Sequence, residues 1–170
     1  KAVQASGKAC MGLECTGDLM KPEMADTLFA TVRIQGAHQA HLDRNLSTHG
    51  SSAVNGGRHP LPSREEVATW LGSLGFENQM QAVVYDRNGA NYCGRMWWMM
   101  KWLGHDAVAV LDGGLQAWEA SGGAVEKGSP AALKPITSQF ELKSALREWV
   151  STDQLAPQVG HPNLTLIDAR

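Results

Sequence analysis

The fold is decided by residues 81–118, which read QAVVYDRNGANYCGRMWWMMKWLGHDAVAVLDGGLQAW. An apolar run over residues 82–85 ends at Asp86, and an apolar helical segment covers residues 96–103 after a short loop. A second apolar run, residues 107–111, begins shortly after a glycine that ends the helix. This succession of strand, loop, helix and strand has about the 30 residues that a parallel β-α-β crossover requires. The stretch therefore predicts an α/β fold built around a parallel sheet.

Polar and glycine residues follow both predicted strands. Asp86 comes directly after the first strand, and Gly89 lies in the loop behind it. Asp112, Gly113 and Gly114 follow the second strand. Ligand and catalytic sites of such sheets lie beyond the carboxyl ends of the strands. The sequence therefore directs attention to Asp86 and the loop that follows it.

Composition excludes several classes of protein. The 170 residues are 43% apolar and 19% charged, which is typical of a globular chain with a real core. A formal net charge of -2 gives no basic field that would attract nucleic acid or an anionic membrane surface. No apolar run approaches the length of a membrane span. Three cysteines do not make a disulfide framework, so we expect a cytoplasmic, reducing setting.

The flanking sequence predicts further helices. Ser63 and Glu66 have the spacing of a capping box in front of a helix. Apolar residues that share one helical face predict a helix over residues 140–150. A short helix broken by a proline is predicted within residues 153–160.

The chain divides into three predicted regions. Residues 1–123 form the main domain, and residues 124–163 form a linker that carries a helix. Residues 164–170 form a strand, which needs a sheet to join. We interpret it as the first strand of a second domain.

Five segments carry a resemblance to a known family. They read GAHQAHLDRNLS (residues 36–47), GRHPLPS (57–63), VVYDRNGANYCGRMWW (83–98), LGHDAVAVLDGGLQAW (103–118) and LIDAR (166–170). The chain resembles the N-terminal half of the tandem rhodanese-type sulfurtransferases, which act on thiosulfate or 3-mercaptopyruvate. The resemblance implies a rhodanese-like doubly wound, mainly parallel sheet flanked by helices. It also implies that LIDAR opens a second rhodanese domain.

The start of the domain departs from the family pattern. The first strand ends in Leu13, Glu14 and Cys15, where the family usually has Leu-Asp. Residues 32–37 read VRIQGA, where the family usually has Gly-His-Ile-Pro-Gly-Ala. These two differences predict an irregular or incomplete first edge of the domain.

The resemblance also implies a reaction and a missing group. In the family, a cysteine thiolate at the first position of the loop takes the outer sulfur of a small-molecule donor as a persulfide. It then passes that sulfur to cyanide or a thiol, without cofactor or metal. Here the matching position is Asp86, which cannot carry a persulfide, although a carboxylate suits the same backbone N–H groups. The resemblance thus implies that this first domain is non-catalytic and that the catalytic cysteine lies in the second domain.

Four further residues are candidates for a functional role. Asp43 and His59 match positions that reach over the cleft between the two domains of mercaptopyruvate-type relatives. There they form a proton relay with a serine of the second domain, and the alternative is that His59 only anchors a surface loop. Cys93 is either a packed small residue or, less favoured, a nucleophile at a helix start. Arg95 is expected to pair with Asp86 or another loop acceptor.

Two readings from other classes remain open. A zinc site would draw on Cys10, Cys15, His38, His41, His49 and His59, but their spacing matches no standard zinc motif. A non-catalytic binding or regulatory module would keep the Asp86 loop as a scaffold. It would use the tryptophan-rich helix as a partner surface, whereas we expect that helix to form core and domain interface.

Overall fold

A computed structural model describes residues 9–48, 50, 53–130 and 138–167. Its main sheet has four parallel strands in the order β3-β1-β4-β5. The strands are β1 (Cys10–Glu14), β3 (His38–Gln39), β4 (Gln81–Tyr85) and β5 (Val108–Val110). A two-stranded antiparallel ribbon joins β2 (Arg33–Ile34) to β6 (Val125–Glu126). The predicted α/β fold with a mainly parallel sheet is confirmed.

Helices cover both faces of the main sheet. They are α1 (Met24–Thr31), α2 (Arg64–Ser73), α3 (Cys93–Trp102), α4 (Gly114–Ala120) and α5 (Thr152–Leu155), with a 3-10 turn at Ala156–Gln158. Val84 of β4 packs in the core that α2 and α3 cover, whereas its neighbour Tyr85 packs with Leu115 of α4. Successive residues of a strand point to opposite faces, so β4 is buried on both sides.

Local signals at the helix ends are confirmed. The Ser63 hydroxyl accepts the N–H of Glu66, and the Glu66 carboxylate accepts the N–H of Ser63 at 2.8 Å. The predicted short helix near the C-terminus is α5, and the 3-10 turn that follows it contains Pro157.

In α3, Met96, Met99 and Met100 are fully buried, and Trp98 stacks on Trp102 with ring centroids 5.6 Å apart.

The predicted irregular first edge is wrong for β1. This strand pairs in parallel with β4 along all five of its residues, from Cys10 opposite Gln81 to Glu14 opposite Tyr85. β1 also pairs with β3 on its other side, so it lies inside the sheet rather than at its edge.

The predicted helix over residues 140–150 is also wrong. The segment crosses α3 as an irregular strap, in which Lys143 and Leu146 donate their N–H groups to the carbonyls of Leu103 and Lys101. The proposed helical face is not buried, because Trp149 is 37% exposed. Backbone partners supplied by the end of α3 outweigh the local helical pattern.

The predicted strand over residues 164–170, which would open a second domain, stays a prediction. Residues 164–167 form no strand, and Ile167 is 85% exposed. Residues 168–170 of that prediction lie outside the described residues.

Within the described part of the chain, no helix combines the length and apolar character needed to traverse a membrane.

Substitutions at two glycines with left-handed backbone can test how closely the chain packs beside Asp86. Gly114 has φ +55°, and a Cβ there would overlap the carbonyl oxygen of Asp86; Gly122 has φ +71° and open space around it. We expect Gly122→Ala to cost about 1 kcal/mol of unfolding free energy from backbone strain alone. Gly114→Ala should cost about 2 kcal/mol more, because a backbone overlap adds to the strain. Urea denaturation measures both, and equal costs would contradict the close approach.

Candidate functional site

The candidate site is a loop that wraps the Asp86 side chain at the carboxyl end of β4. Asp86 Oδ1 accepts the backbone N–H groups of Asn88 at 2.9 Å and Ala90 at 3.0 Å. Its Oδ2 accepts those of Tyr92 at 2.8 Å and Cys93 at 3.0 Å. The residue is 1% exposed. Four N–H donors thus converge on one buried negative charge at the start of α3.

Two consecutive residues of left-handed backbone curl this loop. Gly89 and Ala90 both have φ +69°. Glycine adopts this conformation at no steric cost, whereas an alanine is strained by about 1 kcal/mol. The sequence pointed to Gly89 and missed Ala90, because no signal in an alanine announces positive φ. The convergence of donors on Asp86 offsets the strain at Ala90.

The Asp86 carboxyl is held in its charged form. Burial raises its pKa, but the four backbone hydrogen bonds lower it by more, so the pKa lies below the ordinary value of an aspartate. The loop is therefore a preformed cradle for an anion, the arrangement that also stabilises a thiolate at a helix start.

Cys93 is a protonated, packed thiol. Its side chain is buried in the same core as Met96 and Val84. Burial and then the negative charge of Asp86 raise its pKa to about 12. Burial raises the pKa of the neighbouring Cys15 in the same direction. The charge that the cradle stabilises therefore resides on Asp86 and suppresses ionisation of Cys93.

Arg95 pairs with another loop acceptor rather than with Asp86. Its Nε and Nη2 atoms donate to the carbonyl oxygen of Leu46 at 2.9 and 2.7 Å, and Nη2 also donates to that of His59 at 3.0 Å. The guanidinium fork thereby ties the long loop between β3 and α2 to the first turn of α3.

The structure brings Asp43 and His59 together. His59 Nε2 lies 3.3 Å from Asp43 Oδ1, and the side chains are 19% and 36% exposed. Both line a small cavity with Asp18, Leu19 and Pro22. The two residues are 16 positions apart in sequence, so their contact depends on the fold of the intervening loop.

Asp112, Gly113 and Gly114 follow β5, and Gly114 packs directly against the backbone of Asp86. Gly113 and Gly114 have φ +70° and +55°, and the N–H of Leu115 donates to the Asp86 carbonyl at 3.2 Å. Asp112 is exposed and lines a surface depression together with Gly89. Of the three, Gly114 makes the close approach.

Sequence reasoning missed a buried ionic network beside the cradle. Glu14 is fully buried and accepts the Tyr85 hydroxyl at 2.7 Å and the Arg87 Nε and Nη2 atoms at 3.1 and 2.8 Å. Arg87 also donates to the Val32 carbonyl. Burial and the charge of Glu14 raise the Tyr85 pKa, so the phenol stays a donor. The only signal was Glu14 itself, at the position where the family usually has aspartate.

The described residues hold no group of three or more His, Cys, Asp or Glu side chains arranged for a metal ion. Cys10 is exposed and Cys15 is buried, and both are free thiols. His49 lies outside the described residues. The zinc alternative therefore gains no support from this part of the chain.

Comparisons with known proteins agree on one family. The family description "Rhodanese-like domain" matches residues 20–121. A protein of Pseudomonas aeruginosa named "Probable 3-mercaptopyruvate sulfurtransferase" is 36% identical over 170 residues, which covers 99% of this chain and 58% of that protein. Thiosulfate/3-mercaptopyruvate sulfurtransferase 2 of Arabidopsis thaliana is 38% identical over 133 residues, covering 66% of this chain and 38% of the relative.

A solved structure is similar over most of the described fold. The 3-mercaptopyruvate sulfurtransferase from Leishmania major superposes with a TM-score of 0.77 at 28% identity, covering 92% of this chain and 42% of that one. The chain thus spans 58% or less of the length of these three proteins.

The cradle makes the Asp86 carboxylate a measurable source of stability. We expect Asp86→Asn to lower the unfolding free energy at pH 7 by about 2–4 kcal/mol, because an amide group faces N–H donors in place of a charge. Asp112→Asn, which changes an exposed carboxylate, should shift it by less than about 0.5 kcal/mol.

The stability difference between the unmodified chain and Asp86→Asn should also depend on pH. The folded-state pKa of Asp86 is depressed, so its contribution is complete above about pH 4, the unfolded value, and is lost as pH falls through the lower folded-state pKa. The unmodified chain should therefore lose its advantage over Asp86→Asn below about pH 4. A difference that stays constant from pH 7 to pH 3 would contradict a charged Asp86 in the cradle.

Alkylation distinguishes a packed Cys93 from a nucleophile. A thiol with a pKa of about 12 carries about a thousandfold less thiolate at neutral pH than free cysteine of pKa about 8.5, and burial slows it further. We expect iodoacetamide to modify the exposed Cys10 first and Cys93 at least about a hundredfold more slowly, as mapped by peptide mass spectrometry. All three cysteines should react alike in urea. Preferential labelling of Cys93 in the folded chain would overturn its assignment as inert.

Proposed function

This chain belongs to the rhodanese-like domain family, and we propose that it is the non-catalytic first domain of a two-domain sulfurtransferase. The whole enzyme would move sulfane sulfur from thiosulfate or 3-mercaptopyruvate to cyanide or a thiol. The sulfur would be carried as a persulfide on a cysteine of the second domain. The carrying observation is Asp86, which fills the anion cradle at the position where the family has its nucleophile.

Sulfur transfer needs a group that Asp86 does not provide. A thiolate attacks the outer sulfur of the donor, a new S–S bond forms, and the bond to the rest of the donor breaks with its electron pair. The acceptor then attacks the same sulfur and releases the thiolate. A carboxylate oxygen is not a sulfane carrier, and Cys93 beside it keeps its proton because its pKa is raised to about 12.

The names and lengths of the relatives support the two-domain part of the proposal. The Pseudomonas protein that matches 99% of this chain is named as a 3-mercaptopyruvate sulfurtransferase and extends well beyond the match. The surface also fits a partner domain, because large apolar side chains of the C-terminal segment are exposed, namely Leu146, Trp149, Val150, Val159, Leu166 and Ile167. Free buried thiols fit a reducing compartment such as the cytoplasm.

Within that enzyme, Asp43 and His59 would supply a proton relay. An Asp that holds a His in place allows the imidazole to take or give a proton at its other nitrogen. The 3.3 Å contact and the partial exposure of His59 leave the ring reachable from outside the domain. The group that exchanges the proton would be a hydroxyl of the second domain, as the resemblance implies, when pyruvate leaves.

A cyanolysis assay tests the proposal on the chain as it stands. With thiosulfate and cyanide, or with 3-mercaptopyruvate and cyanide, this chain should form thiocyanate at the rate of the protein-free blank. Cys93→Ser should behave identically, because Cys93 takes no part. Turnover by the unmodified chain that is lost in Cys93→Ser would overturn the non-catalytic assignment and identify the nucleophile.

The Asp86→Cys variant gives the positive arm of that assay. The cradle N–H groups would then face a sulfur atom, so its pKa should fall below the 8.5 of free cysteine. We expect thiosulfate to add one sulfane sulfur to this variant, seen as a mass increase of one sulfur that cyanide removes. A variant that folds but leaves its new thiol unreactive would contradict the anion-cradle interpretation.

A further inference from the structure

His41 lies beside the Asp43–His59 pair and bonds directly to one of its members. We infer, resting on the proposed function of that pair, that neutral His41 is a positioning residue that holds Asp43 in place for its contact with His59. The hydrogen bond to the Asp43 backbone is the path by which His41 would influence proton transfer.

The backbone of His41 is held on both sides. Its N–H donates to Asn45 Oδ1 at 2.9 Å. Its carbonyl accepts the N–H groups of Asn45 at 2.9 Å and Leu46 at 3.1 Å. The residue is 6% exposed, so the ring has little room to move. His41 therefore provides a fixed reference point in an otherwise irregular loop.

The ring uses that fixed position to hold Asp43. The backbone N–H of Asp43 donates to His41 Nδ1 at 3.1 Å, so Nδ1 must offer a lone pair and the ring proton sits on Nε2. The carboxylate of the same residue reaches His59 Nε2 at 3.3 Å. Asp43 is thus fixed by its main chain to one histidine and presents its side chain to the other.

Protonation of His41 would abolish the contact. A charged imidazole carries a proton on both nitrogens, so a Nδ1–H would face the N–H of Asp43 at 3.1 Å. Two donors at that distance repel each other, and the turn that carries Asp43 must move away. The Asp43–His59 contact should therefore form only while His41 is neutral.

The charges around the ring favour the neutral form. The titratable groups near it, from its own turn, from α1 and from the adjoining loops, are Arg44, Asp43, Asp26, Asp18 and His59. Burial lowers the pKa of His41 and Arg44 lowers it further, whereas Asp26 and Asp43 raise it; the net direction is down. Arg44 also binds Asp26 through two nitrogens, which offsets the charge of that carboxylate. The contact to Asp43 is then present at neutral pH.

Nuclear magnetic resonance of the unmodified chain tests the coupling. As pH falls from 8 to 5, the Asp43 amide should shift with the midpoint at which the His41 ring titrates, and that midpoint should lie below about 6.5. His38 is a matched control, since it is another histidine whose pKa burial lowers. His38→Asn should leave the Asp43 transition unchanged. An Asp43 amide that does not follow the His41 midpoint would overturn the inference.

Two substitutions at His41 distinguish its role as a hydrogen-bond acceptor from a role in filling space. His41→Asn places a side-chain oxygen near the position of Nδ1, so Asp43 should stay bonded at every pH and the transition should disappear. His41→Leu removes the acceptor. At pH 7.5 it should lower the protection of the Asp43 amide against hydrogen exchange about tenfold. The contact with the Asp43 carboxylate favours a proton on His59 Nε2, so losing it should shift the His59 ring away from the Nε2–H tautomer.

The outcomes separate this inference from the proposed function. An unchanged His59 tautomer in a folded His41→Leu variant would reject the positioning role. If that variant does not fold, the titration of the unmodified chain decides alone. Thiocyanate formation by the unmodified chain would reject the non-catalytic assignment and leave the His41–Asp43 contact standing, because the resonance measurements require no turnover.

Discussion

The structure depends most on one buried charge and the four N–H groups that surround it. The Asp86 carboxylate joins the end of β4 to the start of α3, with Oδ1 bonded to the loop and Oδ2 to the first residues of the helix. Without an anion there, four donors would be buried without partners, which costs more than any single packing contact nearby. The strained backbone of Ala90 and the close approach of Gly114 both follow from closing the loop on this charge.

This arrangement separates what the fold requires from what sulfur chemistry requires. The fold requires a negative charge at the loop's first position, and either a thiolate or a carboxylate satisfies it. A carboxylate has two oxygens and meets all four donors directly, whereas the chemistry requires a sulfur atom. On the proposed function, this domain keeps the cradle and lacks the nucleophile. Burial and the same charge raise the pKa of the Cys93 thiol to about 12, so that thiol keeps its proton.

Local patterns predicted the strand-loop-helix-strand unit, the capping box at Ser63 and the position of Asp86, because each depends on residues close together in sequence. The features that local patterns did not predict depend on partners that are distant in sequence. The strap over residues 140–150 finds its backbone acceptors on α3, which no helical periodicity records. The Glu14–Arg87 pair joins residues 73 positions apart, and the paired Asp43 and His59 were expected from resemblance rather than from spacing.

The cradle and the Asp43–His59 pair are linked through Arg95. Asp86 fixes the first turn of α3, and Arg95 projects from that turn to the carbonyls of Leu46 and His59. The N–H of Leu46 in turn donates to the His41 carbonyl. His41 and His59 are therefore both positioned relative to α3. On the proposed function, the charge at Asp86 thus helps to position the Asp43–His59 pair that this domain would offer to the reaction in the second domain.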